Sequence, residues 1–169
     1  TDNDNEIATR PLDGTFSGDS VFLSMLVRFT GDPTNNDFVG LWVEEPGFGE
    51  SPQFGLKVNE GRGETDDFFV RLDQGADYST DLEVGDTYLL VAQYSKVDEE
   101  YFSNAKLWVN PECEASPPAN VSAERSGFPP GSQITEFSEI GIRSANLSPA
   151  DSFEIGQVAV GTQWTDVVR

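Results

Sequence analysis

The chain has no histidine, one cysteine, one methionine and only 10 basic residues among 169. Without histidine, nucleophilic triads built on a histidine base are excluded. A lone Cys113 rules out an intrachain disulfide, and the residue reads as an incidental thiol in a proline-rich loop. No stretch of about 18 apolar residues is present, so no membrane-spanning helix is expected. The opening TDNDNE lacks a basic start and an apolar core and does not read as a signal peptide, so in an exported protein Thr1 would be a processed start. Against 10 cations stand 30 acidic residues, for a net charge of −20. Such a surface is repelled by nucleic-acid phosphates and by anionic membranes. It suits a salty exterior medium, where self-repulsion is screened within about 8 Å, or one rich in divalent cations.

Amphipathic helical periodicity is missing as well. What recurs is short alternating or apolar runs between Gly, Pro, Asn and Asp clusters, the pattern of an all-β sandwich or barrel. Strands are predicted over Ser20–Thr30, Asp37–Glu44, Gln53–Asn59, Phe68–Leu72, Thr87–Ser95, Ala105–Asn110, Ile134–Arg143 and Ser152–Thr162. A weaker first strand is expected near Ile7–Leu12, and residues 1–15 could serve as an N-terminal arm. The segment 111–132 holds five of the ten prolines and reads as a long, stiffened loop of the kind that covers a surface or carries function. One domain over residues 1–169 is the natural expectation for this length, with a core able to bury roughly 70% of the unfolded surface.

Strand side chains alternate between faces. In FVGLWV, Val39, Leu41 and Val43 share a face and Trp42 lies on the other; in AKLWVN, Leu107 and Val109 oppose Trp108. Both tryptophans therefore take the more polar, outward parity. In the last strand Phe153 and Ile155 differ in parity from Val158 and Val160, which predicts a bulge near Gly156.

The order of these pieces resembles laminin-G-like domains of exported bacterial proteins. The resemblance is carried by FLSMLVRF (Phe22–Phe29), FVGLWV (Phe38–Val43), Phe54-Gly55-Leu56, TYLLVAQY, LWVNP and a closing strand ending in Gly161-Thr162-Gln163-Trp164. It spans about Ser20 to Val168. It implies a two-sheet antiparallel jelly-roll sandwich of the concanavalin A-like lectin and glucanase type, a fold shared by binders, adhesins and glycan-cleaving enzymes. Relatives often carry an acidic pair where this chain has Gly156 and Gln157.

Catalysis on glycans is not expected. Glycosidases need two carboxylates flanking the scissile bond, and those of this fold resemble one another in an E-x-D-x-x-E strand that this chain lacks. Glu136 and Glu139 have odd spacing and point to opposite faces. Calcium needs six to eight oxygen ligands. The resemblance implies a site at one end of the sandwich, using Asp86 before the TYLLVAQY strand with Asn146 or Asp151 from a later loop. A second candidate is Asp32, Asn35, Asn36 and Asp37 in TGDPTNND. The alternative is that these residues simply close turns on their own backbone. Glycan binding would use flat aromatic rings, with Trp42 and Trp108 as candidates unless the proline-rich loop covers them; Trp164 is expected to pack as a plug. The functional expectation is a secreted or cell-surface binding or adhesion module for glycan or protein, with calcium as a candidate cofactor. A structural subunit of a surface layer, sheath or filament, built by self-assembly, is the second reading.

Overall fold

A computed structural model describes residues 6–43, 52–59, 66–72, 75–126 and 134–168. The strands are β1 (Glu6–Phe16), β2 (Ser20–Thr30), β3 (Phe38–Val43), β4 (Gln53–Lys57), β5 (Phe68–Arg71), β6 (Ala76–Ser79), β7 (Thr87–Ser95), β8 (Asn104–Val109), β9 (Ala123–Ser126), β10 (Phe137–Ala145) and β11 (Ser152–Gly161). A single helical turn, α1 (Trp164–Val167), closes the described chain. β2 and β7 match the sequence expectation to the residue. β6 and β9 were not expected, because ADYS and AERS carry no apolar alternation; both are short edge strands whose pairing is decided by neighbours. The weaker first strand expected near Ile7–Leu12 lies within β1, so the expected arm, from residue 6 onward, pairs along β10 within the same chain, and residues 1–5 lie outside the described segments. β9 likewise interrupts the predicted 111–132 loop.

Two antiparallel sheets result, ordered β1-β10-β3-β4-β5-β6 and β11-β2-β7-β8-β9. This is the jelly-roll sandwich expected from the alternation. Side chains of one parity fill the space between the sheets: Val21, Leu23, Met25 and Val27 of β2 face Val39, Leu41, Phe54, Leu56, Phe68 and Val70 of the other sheet. Each such side chain contributes roughly 1.5–3 kcal/mol by leaving water, which fixes the register, since a slip of one residue would turn the apolar set outward. The predicted bulge is present: the β11–β2 register shifts between Gly156 and Ala159, and Gln157 takes φ +47. Phe153 and Ile155 before the shift, and Val158 and Val160 after it, all pack on the same core.

Candidate functional site

Trp42 and Trp108 point away from the central core, as their parity predicts. They lie on the outer faces of different sheets, and both are buried, with 2% and 3% exposure.

Trp108 is sealed by the chain itself. Its indole meets Trp164 edge-on at 5.2 Å, and Trp164 meets Phe22 at 6.1 Å. Trp108 Nε1 donates to the Pro118 carbonyl and Trp164 Nε1 to the Glu114 carbonyl, both at 3.1 Å. The proline-rich loop and α1 thus cover the outer face of the five-stranded sheet, and Trp164 is the plug the sequence suggested. α1 is held in turn by Asp166, whose carboxylate accepts from the backbone N–H groups of Thr162 and Gln163. Cations on this face have carboxylate partners: Arg28 with Glu154 at 3.6 Å and Lys106 with Glu124 at 3.7 Å. Cys113, in the covering loop, is free and exposed.

The outer face of the six-stranded sheet is built differently. Its register sets three rows of side chains across the strands. One row runs Gly141, Trp42, Gln53, Arg71, Ala76; the next runs Arg143, Gly40, Gly55, Phe69, Tyr78; the third runs Ala145, Phe38, Lys57. The glycines let rings lie flat. A Cβ on Gly141 would stand 2.1 Å from the Trp42 ring, and one on Gly40 would stand 3.0 Å from the tip of Phe38. Phe38 and Phe69 stack at 5.4 Å between centroids. Over this pair lie two guanidiniums, Arg143 at 5.3 Å from the Phe38 ring and Arg71 at 5.5 Å from the Phe69 ring. Such cation–π contacts hold the planar heads in place. Burial, and then the charge of Arg71, push the Arg143 guanidinium below its ordinary value. Among the described residues, neither Trp42 Nε1 nor Arg71 Nε has a hydrogen-bond partner, although both atoms are buried. Orphaned buried donors are rare and costly.

Sequence reasoning found Trp42 but missed Gln53, Phe69, Arg71, Tyr78 and Arg143. The parity that placed Trp42 outward places these outward too, because Phe54, Phe68, Val70 and Ile142 beside them face the core.

The calcium candidates gather only in part. Asp151 accepts from the Asp32 N–H at 2.9 Å and the Ser148 N–H at 3.1 Å. Asn146 donates to the Asn36 carbonyl. Asp37 accepts from the Thr34 N–H and hydroxyl. Burial raises the Asp37 carboxyl above its usual range; the Thr34 hydrogen bonds work against that and the charge of Asp151 adds to it. For Asp151, burial works upward, but hydrogen bonds from Ser148 and Asp32 outweigh it and lower the value. So one sandwich end unites Asp151 and Asn146 with the Asp32–Asp37 loop. Asp86, just before β7, shares no hydrogen bond with any of them. These oxygens are engaged as turn acceptors. Among the described residues no group of three or more acidic or cysteine side chains converges as a metal site. No described helix is long and apolar enough to cross a membrane.

No protein-family model matches the chain, and no curated protein matches it. Solved structures do. A carbohydrate-binding module, CBM66 from Bacillus subtilis, aligns with TM-score 0.53 and 9% identity over 91% of this chain and 81% of its own. The carbohydrate recognition domain of Emp46p, in a metal-free form, aligns with TM-score 0.55 and 15% identity over 93% and 78%; a potassium-bound form of that domain also matches. The alginate lyase Aly36B, in complex with an alginate trisaccharide, aligns with TM-score 0.59 and 12% identity over 92% and 74%. At these identities the likeness shows the fold alone, a two-sheet antiparallel jelly-roll sandwich.

Proposed function

We propose that this chain is a non-catalytic glycan-binding module and that its binding face is the outer face of the six-stranded sheet. The observation that carries the reading is the orphaned pair of buried donors, Trp42 Nε1 and Arg71 Nε, set beside the stacked Phe38–Phe69 pair. Sugars offer apolar C–H faces to stack on rings and hydroxyls to accept from N–H groups. The carbohydrate-binding fold neighbours support the class of ligand, and the laminin-G-like order of motifs supports an exported or cell-surface setting, as does the acidic composition. A binding role without chemistry is supported by the absence of histidine.

Binding to a panel of polysaccharides by affinity electrophoresis tests this. Retardation by at least one polymer, reduced by Trp42→Phe, which keeps a ring and removes the N–H, is the expected result. Release of new reducing ends or unsaturated products from the same panel would replace the binding reading with an enzymatic one.

A specific feature favours assembly as the second reading. β1 is an almost wholly exposed edge strand of 11 residues, and edges of that kind recruit other strands. A cleft of about 670 Å³ lies beside it, lined by Leu12, Phe16, Ile142, Val158 and Val160 among others. Against it stands the net charge of −20, which opposes self-association. Light scattering at low and high salt separates the two: a monomer throughout supports the binding module, and a salt-promoted polymer supports assembly.

A further inference from the structure

Resting on the glycan-binding reading, we infer that the ligand is an acidic polysaccharide, a uronic-acid chain whose carboxylates meet Arg71 and Arg143 on either side of the Gly40–Gly55 floor. The charge balance of the face points there. The whole chain carries three acidic residues for each basic one, 30 to 10. The three cross-strand rows invert that ratio: they hold Lys57, Arg71 and Arg143, against one carboxylate, Asp67, which follows Lys57 in the third row and accepts from the Asn59 and Leu82 N–H groups. The next acid among the described residues on this face is Glu139, two positions before Gly141 on β10. A neutral sugar would give no reason to concentrate cations on one face of so acidic a chain.

Geometry adds to charge. The guanidiniums lie over the stacked Phe38–Phe69 pair, so their planes are fixed before a ligand arrives, which reduces the ordering cost of binding. A planar carboxylate matches the guanidinium fork in two parallel hydrogen bonds, which an ammonium or a sugar hydroxyl cannot reproduce. Burial first, and the charge of Arg71 second, disfavour the Arg143 cation, and an anion beside the two guanidiniums works against both effects. Gln53 stands directly opposite Arg71 in the ladder and can bond a ring hydroxyl beside the carboxylate.

The test is calorimetric titration of the intact chain with polygalacturonate, alginate and glucuronan, and with each polymer after reduction of its carboxyls to alcohols. The expected result is binding of at least one uronate, weakened at least about tenfold by carboxyl reduction and again by raising salt from 50 to 500 mM. Arg71→Gln should lower affinity by at least about tenfold and Arg71→Lys by less, because the charge remains and the fork is lost; a thermal melt of each variant checks that it is folded. Arg143→Gln supplies the same readout from the other side of the floor. Equal affinity for native and reduced polymers, or binding to neutral glycans alone, overturns the acidic ligand and leaves the glycan module standing. Binding to no glycan in the panel overturns both.

Discussion

The two outer faces of the sandwich start from the same sequence device, a tryptophan placed outward by strand parity, and end differently. On the five-stranded sheet the chain finishes the job itself. Trp108 is roofed by Trp164 and by the proline-rich loop, each indole N–H meets a carbonyl, and Arg28 and Lys106 sit beside carboxylates. On the six-stranded sheet, aromatic rings and glycines make a flat floor, guanidiniums lie over it, and two buried donors lack partners among the described residues. The difference separates structure from function. Satisfied donors on the covered face contribute stability, whereas the orphaned donors of the other face cost stability, which on the proposed reading a ligand would offset.

The comparison can be broken from either side. Trp164→Ala should have the largest effect, a loss of about 3–5 kcal/mol, because it opens a cavity and strips the roof from Trp108. Denaturant melts measure it, and glycan affinity per folded molecule should be unchanged. Gly141→Ala should rank second. Its Cβ would stand 2.1 Å from the Trp42 ring, forcing the ring up at a cost of about 1–3 kcal/mol, and glycan affinity should fall with it. Arg71→Gln should be the mirror image of Trp164→Ala: stability within about 1 kcal/mol of the parent, since it removes a donor with no partner, and a clear loss of binding. The smallest effect is expected from calcium. Because the oxygens of Asp37 and Asp151 already accept hydrogen bonds, millimolar calcium should move the melting temperature of the parent, and of Asp86→Ala, by less than about 1 °C. A larger rise in the parent that Asp151→Asn abolishes would restore a metal site at that end of the sandwich.

Much of the architecture was legible in the chain because alternation is a local signal. Val39, Leu41 and Val43 opposite Trp42, and the parity break at Gly156-Gln157, could be read from a few residues each. Which sheet a strand joins is not local. Trp42 and Trp108 have the same parity, yet β3 pairs with β10 and β8 with β7, so they end on opposite sides of the molecule. For the same reason Arg71 and Arg143, far apart in sequence, could not be seen as a pair until β10, β3, β4 and β5 were laid side by side. β6 and β9 were invisible because their pairing partners, and not their own composition, make them strands. The calcium candidates stay ambiguous in the sequence because Asp and Asn serve both metals and turns.

The chain has three tryptophans, and each indole N–H reports on one position, so the central claim has a direct test. Nitrogen-15 correlation spectra of the indole signals, assigned by Trp→Phe variants, can be followed while a bound polysaccharide is titrated in. The account predicts that the Trp42 signal moves on binding while those of Trp108 and Trp164, already hydrogen-bonded to Pro118 and Glu114, stay in place. Movement of the Trp108 or Trp164 signals with Trp42 unchanged would put the ligand on the other sheet and contradict it.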